Sequence, residues 1–95
     1  MSEFEIAAAA IKKSAERKVK MTDDELLLIY SLFKQGTNGD NTTDKPGMLD
    51  FKGKAKWEAW NKLKGKSQAE AQEEYKALAK TLLTKYECAD LIVGW

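Results

Sequence analysis

The chain has 95 residues, 43% of them hydrophobic and 33% charged, and this size and composition predict one folded domain over residues 1–95 with a modest core. Its 16 Lys and Arg against 15 Asp and Glu give a net charge of +1, which argues against a nucleic-acid binder because such small binders usually carry a basic excess. Because Cys88 is the single cysteine and histidine is absent, an intrachain disulfide, a Cys/His zinc site and an imidazole-based catalytic triad are excluded.

Four helices are predicted, three of them by the same start signal. Ser2, Thr22 and Ser67 are each followed three residues later by Glu, the pattern of a capping box in which both side chains bind free backbone amides. Asp50 is a good N-cap for one more helix. The predicted helices lie near residues 3–17, 22–35, 50–64 and 67–86, with a short C-terminal extension over 87–95. The fold class is therefore all-α.

The outer helices have simple apolar stripes that predict the core. In the first helix one narrow arc contains Phe4, Ala8, Ile11 and Ala15. In the fourth helix one continuous stripe contains Ala71, Tyr75, Leu78, Ala79, Leu82 and Tyr86. Both helices are expected to bury one side.

The second helix is apolar on two sides. One face carries Leu26, Ile29, Tyr30 and Phe33, and the far side carries Leu28 and Leu32. Such a helix usually packs against neighbours on both sides, or against a neighbour and a ligand. The turn-rich segment that follows, residues 35–50, is long for a small domain, and long ordered loops are often functional.

Several lysines lie on or beside apolar arcs, where charged residues are not expected. They are Lys12, Lys34, Lys52 and Lys56. At about 100° per residue, Lys52 and Lys56 fall on the same side of the third helix as Trp60. One interpretation is that the lysine stems cover apolar surface while their ammonium groups reach water. The other is that the four lysines surround an anion such as phosphate, beside the rings of Tyr30, Phe33 and Tyr75. Periodicity leaves both open.

Longer blocks of sequence resemble the acyl-CoA binding protein (diazepam-binding inhibitor) family. The matching blocks are Leu28–Asp40, Lys45–Gly47, Met48–Trp60 and Leu63–Ser67, and the similarity runs from Phe4 to about Tyr86. The resemblance implies a four-helix bundle in up-down-down-up order with a bowl-shaped site. It also implies a carrier and pool former that binds long-chain acyl-CoA in a groove between helices and does not convert it chemically.

The resemblance implies seven ligand-binding residues and none that is catalytic or that binds a metal. The residues that match those holding the 3′-phosphate of CoA are Tyr30, Lys34 and Lys56. The ring that matches the one stacking on adenine is Phe33. The residues that match those completing the nucleotide and acyl contacts are Lys12, Lys52 and Tyr75.

The sequence departs from the family pattern in three places. Phe33 stands where the family commonly has tyrosine, so stacking is kept but a hydroxyl is lost. Val19–Met21 replaces the proline that often precedes the second helix, and about three extra residues precede Tyr30. The chain also continues through Glu87–Trp95, which is expected to be either a packed extension or a small interaction surface.

The expected partners are long-chain acyl-CoA esters such as palmitoyl-CoA, with no cofactor, no nucleic acid and no stable membrane insertion. Transient contact with acyl-CoA-using enzymes or membranes, a monomeric state and a cytoplasmic location are also expected. No basic start with a long apolar run is visible in Met1–Lys13, and no stretch approaches the roughly 18 apolar residues of a membrane span. Two alternatives stay open: a protein–protein interaction module that receives an amphipathic helix on the second helix, and an enzyme acting on CoA esters.

Overall fold

A computed structural model describes residues 2–95 and contains four α-helices. They are α1 (Glu3–Glu16), α2 (Asp23–Asn38), α3 (Phe51–Asn61) and α4 (Gln68–Lys85), and a 3₁₀ turn follows at Ala89–Leu91. Over these described residues no strand is present, which confirms the all-α prediction. None of the helices in this part of the chain has the length and apolar character needed to cross a membrane.

Helices α1 and α4 run in the same direction. Two ion pairs show this, because the partners are 73 residues apart in the sequence in both pairs. Lys76 Nζ lies 3.0 Å from Glu3 Oε1 at the start of α1. The Arg17 guanidinium, just past the end of α1, binds both carboxylate oxygens of Asp90, just past the end of α4, at 2.9 and 2.8 Å. The start of α1 therefore lies beside the first half of α4, and the end of α1 lies beside the end of α4.

Helices α2 and α3 both run against that direction. At the start of α2, Glu25 Oε2 accepts from Lys85 Nζ at the end of α4 at 2.6 Å, so α2 and α4 are antiparallel. Tyr30 of α2 contacts Lys56 of α3, and Lys34, four residues later in α2, contacts Trp60, four residues later in α3. Because α3 is thus parallel to α2, the order is up-down-down-up, as expected.

The predicted helix starts are confirmed by their caps. Ser2 and Thr22 form complete capping boxes, and the Ser67 hydroxyl accepts from the Glu70 amide. Asp50 Oδ1 accepts from the Gly53 amide at 3.0 Å. Each start is a contact between residues three apart, which the local sequence determines.

The predicted ends of the two middle helices are corrected. Helix α2 continues to Asn38, past the expected end at 35, and Gly36 lies within it. A Cβ at Gly36 would lie 3.1 Å from both Phe4 Cζ and Gln72 Cγ. Helix α3 ends at Asn61 rather than near 64, and turns carry the chain from there to Gly65.

The main core joins α1, α2 and α4. Its buried members are Phe4, Ala7, Ile29, Leu32, Ala71, Tyr75, Ala79 and Leu82. The α4 stripe is confirmed, but two expectations about the other helices are wrong. Ala15 is exposed, and the neighbouring Ser14 is buried with its hydroxyl bonded to Ile11 O at 2.6 Å. On α2, Leu28 is 53% exposed, so only Leu32 of the predicted far side is buried.

The start of the loop between α2 and α3 is fixed by hydrogen bonds. Asp40 Oδ1 accepts from Gln35 Nε2 and from the Gly65 amide, each at 2.9 Å. These bonds hold the carboxyl pKa of Asp40 below its ordinary value, first through the Gly65 amide and then through Gln35. The indole of Trp60 donates to Gly39 O at 2.9 Å. The loop therefore holds α3 against α2.

Residues after α4 pack instead of projecting into solvent. A second apolar cluster is built from Ala10, Leu83 and Cys88, with further residues against it. The partly buried residues that complete it are Ile11, Val19, Leu91, Ile92 and Trp95. Of the two expectations for the extension, the structure agrees with packing.

Candidate ligand-binding site

Two lysines lie over aromatic rings where α2 faces α3. Lys56 Nζ of α3 is 5.4 Å from the centroid of the Tyr30 ring on α2. Lys34 Nζ of α2 is 5.0 Å from the centroid of the Trp60 ring on α3. Such cation–π contacts orient an ammonium group without neutralising it. Within residues 2–95 neither lysine forms a salt bridge, so both charges are available to an anion.

An apolar groove opens beside these lysines, between the start of α2 and α3. This α2–α3 groove has a volume of about 450 Å³. It is lined by Asp23, Leu26, Leu27, Phe51, Lys52, Ala55 and Lys56. Leu26 is 50% exposed and Phe51 is 74% exposed, so both leave apolar surface open to a ligand. Lys52 and Lys56, the two lysines of this lining, place positive charge at the rim of the apolar groove.

A cluster of three rings lies on the other side of α2, where α1 and α4 meet it. The centroids of Phe4 and Tyr75 are 5.2 Å apart in an edge-to-face arrangement, and Phe33 lies 5.7 Å from Phe4 and 6.1 Å from Tyr75. Phe33 keeps 37% of its surface exposed, whereas Tyr75 is almost fully buried. Burial raises the pKa of Tyr75 to about 12, so its phenol stays neutral near pH 7. The open face of Phe33 is free to stack with a planar group.

The seven residues selected from the sequence occupy three places. Those at the α2–α3 interface are Tyr30, Lys34, Lys52 and Lys56. Phe33 and Tyr75 belong to the ring cluster. Lys12 is exposed on α1, and in the described part of the chain it forms no hydrogen bond, ion pair or cation–π contact with the other six.

Sequence reasoning missed most of the apolar lining of the groove. Leu27, Phe51 and Ala55 are absent from the predicted site residues, and Leu26 is predicted only as part of one apolar face of the second helix. One signal was present: Leu26, Leu27 and Leu28 are consecutive, and three consecutive helical positions cannot all face one neighbour. Trp60, which lies under Lys34, was also not included among the site residues.

The profile of the family described as "Acyl CoA binding protein" matches residues 1–79 of this chain. The chain belongs to the acyl CoA binding protein family. Among curated proteins, it is 55% identical over 83 residues to the acyl-CoA-binding protein homolog 1 of Caenorhabditis elegans, covering 87% of this chain and 93% of that protein. It is 54% identical over 84 residues to the Drosophila melanogaster homolog, covering 88% and 94%.

The fold agrees with solved structures of acyl CoA binding proteins. The crystal structure of the protein from Moniliophthora perniciosa superposes with a TM-score of 0.85 at 37% identity, and the match covers 97% of this chain and 92% of that one. The family profile ends within α4, at residue 79, whereas this structural match extends over nearly the whole chain.

Proposed function

We propose that this chain binds long-chain acyl-CoA esters such as palmitoyl-CoA, and that it carries and pools them without converting them. Acyl-CoA binding follows from its membership of the acyl CoA binding protein family. The observation that carries the assignment is the combination of two unpaired lysines held over rings with an adjoining apolar groove. An anionic head group and an apolar tail on one molecule match that combination.

The phosphate of the nucleotide is proposed to bind at the α2–α3 interface. Lys34 and Lys56 supply mobile ammonium groups, and phosphate oxygens accept several charge-assisted hydrogen bonds from such donors. Tyr30 lies beside Lys56 and can donate from its phenol. These three residues are the proposed contacts of the 3′-phosphate.

The adenine ring is proposed to stack on the open face of Phe33. Stacking between a base and an aromatic side chain contributes roughly 1–3 kcal/mol. Phe4 and Tyr75 hold the Phe33 ring in place by their own ring contacts. Lys12 and Lys52 are proposed to complete the polar contacts, Lys12 from α1 and Lys52 from the rim of the groove.

The acyl chain is proposed to lie in the α2–α3 groove. Each methylene removed from water contributes roughly 0.8 kcal/mol gross, so longer chains bind more tightly until the available apolar space is full. Leu26, Leu27, Phe51 and Ala55 provide the apolar wall. The proposed binding needs no reacting group, and the proposal therefore assigns neither a catalytic residue nor a cofactor.

Exchange of the ester is proposed to occur by transient contact with acyl-CoA-using enzymes or membranes. Met48, Leu49 and Phe51 are 83%, 90% and 74% exposed and form the most exposed apolar segment of the described chain, and Phe51 lines the groove. A small apolar surface of this kind supports brief contact rather than stable membrane insertion. We further propose a monomer in the cytoplasm that does not bind nucleic acid, in keeping with a net charge of +1.

The proposed function is tested by titration calorimetry with palmitoyl-CoA, free CoA and free palmitate, each at low and at high salt. Palmitoyl-CoA should bind most tightly, because it alone offers both the anionic head and the apolar tail. Free CoA should bind weakly and lose affinity as salt rises, since salt screens partly exposed charges. Palmitoyl-CoA should lose a similar absolute free energy, because salt does not weaken apolar burial.

Each alternative function predicts a different outcome in the same series. Tight binding of palmitate itself would make this chain a fatty-acid carrier. No binding and no shift in melting temperature with palmitoyl-CoA would favour a protein–protein interaction module. Release of free CoA or transfer of the acyl group by the purified protein would identify an enzyme.

A further inference from the structure

A second apolar cavity adjoins the α2–α3 groove, and one residue lines both. This linker cavity has a volume of about 230 Å³ and lies between the end of α1, the α1–α2 linker and the start of α2. Its lining residues are Ile11, Ser14, Ala15, Val19, Lys20, Met21 and Leu26. Leu26 is the residue that it shares with the groove. Leu26 therefore lies against both cavities.

The wall of the linker cavity is suited to hydrocarbon. Ile11, Val19 and Met21 contribute apolar surface, and the one buried hydroxyl, that of Ser14, is already bonded to Ile11 O at 2.6 Å. Lys20 is exposed, so its ammonium group can remain in water while its stem covers the wall. The lining side chains offer a polar ligand no free buried hydrogen-bond donor, whereas the transfer of methylene and methyl groups from water into the cavity is favourable.

Leu26 can move without disturbing the core. Leu26 is 50% exposed, while its backbone amide donates to Thr22 O at 3.0 Å and the preceding residue, Glu25, is held by further bonds. Glu25 accepts from the Thr22 amide at 2.9 Å and from Lys85 Nζ at 2.6 Å, and the Tyr86 hydroxyl also donates to it. A change of rotamer at Leu26 is therefore the simplest way to connect the two cavities.

The proposed direction of the acyl chain leads to this point. With the head group at Lys34 and Lys56, a chain following the groove runs back along α2 past Leu27 to Leu26. Asp23 lines the groove at that end, and a carboxylate is an unfavourable neighbour for a terminal methyl group. The apolar continuation lies on the other side of Leu26.

We infer that the linker cavity is a second subsite, which receives the terminal methylene and methyl groups of acyl chains too long for the α2–α3 groove, with Leu26 as the movable divide. This inference rests on the proposed binding of acyl-CoA in the groove. Val19 and Met21, which help to form the subsite, lie where the sequence departs from the family pattern. The longest acyl chain that this protein accommodates is therefore set by its own α1–α2 linker.

The test compares lauroyl-, palmitoyl-, stearoyl- and docosanoyl-CoA by titration calorimetry with the parent protein and Met21→Trp, which fills the linker cavity. Affinity for lauroyl-CoA should be unchanged, because that chain ends within the groove. Affinity for docosanoyl-CoA should fall by about fourfold for each methylene excluded from the subsite, the fold-change that corresponds to burying one methylene. A uniform loss at all lengths, or no loss at any length, would overturn the subsite.

Leu26→Ala and Leu28→Ala form a matched pair that tests the divide. The two leucines are similarly exposed, 50% and 53%, but Leu28 lines neither cavity. Leu26→Ala should shift the preference towards longer chains, and Leu28→Ala should leave the length profile of the parent. If both variants gave the parent profile, Leu26 would not divide the cavities.

A measurement on the unaltered protein covers the case in which Met21→Trp does not fold. With docosanoyl-CoA bound, nuclear Overhauser contacts should join the terminal methyl of the ligand to the Met21 and Val19 methyl groups. Contacts from that methyl to Phe51 and Ala55 alone would contradict the subsite. Failure of the parent to bind any acyl-CoA would overturn the proposed function itself, a result distinct from binding that does not respond to changes at Met21 or Leu26.

Discussion

The ammonium group of Lys56 on α3 lies 5.4 Å from the centroid of the Tyr30 ring on α2. The two residues are 26 positions apart in sequence numbering, and the parallel course of α2 and α3 brings them together. The contact places a positive charge beside a phenol that can donate a hydrogen bond, above the α2–α3 groove. This pair is the centre of the proposed phosphate site.

Replacing Lys56 with alanine should weaken palmitoyl-CoA binding by roughly 1.5–3 kcal/mol, the scale of a hydrogen bond to a charged group. The fold should lose little stability, because Lys56 is exposed and forms no salt bridge within the described residues. Titration calorimetry and thermal unfolding measure the two quantities. The variant should also discriminate poorly between CoA and dephospho-CoA esters.

Lys54→Ala is the matched control, since Lys54 lies on the same helix and does not line the groove. It should bind palmitoyl-CoA as the parent does. Equal affinities of the parent and Lys56→Ala would remove Lys56 from the proposed site.

Two substitutions at Phe33 distinguish the contribution of the aromatic ring to binding from that of the hydroxyl group that a tyrosine would add. Phe33→Tyr should leave palmitoyl-CoA affinity within about 1 kcal/mol of the parent, because the stacking face persists and a partly exposed neutral hydrogen bond contributes no more than that. Phe33→Ala should cost more, since it removes the face and its contacts with Phe4 and Tyr75. Calorimetry gives both affinities. If alanine and tyrosine behaved alike, stacking on Phe33 would be wrong.

Glu25 should make folding stability depend on pH in the acid range. Hydrogen bonds from Lys85 first, then from Tyr86 and the Thr22 amide, lower the pKa of Glu25 from 4.5 to about 2. Because the folded pKa is the lower one, this contribution is complete above the unfolded pKa of 4.5 and is lost as pH falls towards 2. Urea unfolding should therefore show that the parent has a larger free energy of unfolding than Glu25→Gln above pH 4.5, and that this difference becomes smaller as the pH falls from 4.5 to 2.

The exposed residue Glu16 at the end of α1 provides the control for that experiment. The free energy of unfolding of Glu16→Gln should stay closer to that of the parent across the acid range than the free energy of unfolding of Glu25→Gln does. A gap between the parent and Glu25→Gln that stays constant with pH would show that the carboxylate charge at this position does not stabilise the fold.

Trp95 should stabilise the bundle without contributing to the site. It packs on the cluster of Ala10, Leu83 and Cys88, and Lys80 Nζ lies 5.4 Å from its ring centroid. Trp95→Ala should lower the free energy of unfolding by about 1–3 kcal/mol, as expected for truncating a partly buried aromatic side chain. Palmitoyl-CoA affinity should not change. Chemical denaturation and calorimetry measure the two effects.

Val93→Ala is the matched truncation in the same extension, because Val93 is 70% exposed. Val93→Ala should change the free energy of unfolding by no more than about 0.5 kcal/mol. A Trp95→Ala variant that kept its stability but lost ligand affinity would mean that the extension serves the site rather than the fold.

The sequence alone determined the features that depend on neighbours along the chain. Ser2, Thr22, Asp50 and Ser67 begin the four helices because each binds an amide only three residues away. The helical period likewise placed Lys52 and Lys56 on one side of α3, where both line the groove. The order of the helices came from the resemblance to a family, since local spacing does not determine which helices meet.

Only the tertiary structure decided which apolar side chains stay open to a ligand. Leu26 and Leu28 are chemically identical and nearly equally exposed, yet Leu26 lies between two cavities and Leu28 lines neither. Gly36 lies inside α2 beyond the expected end of that helix, at a point where a Cβ would be 3.1 Å from side-chain atoms of Phe4 and Gln72. These outcomes depend on residues supplied by other helices and by the α1–α2 linker, far away along the chain. A local sequence pattern contains no information about such neighbours until the helices have packed.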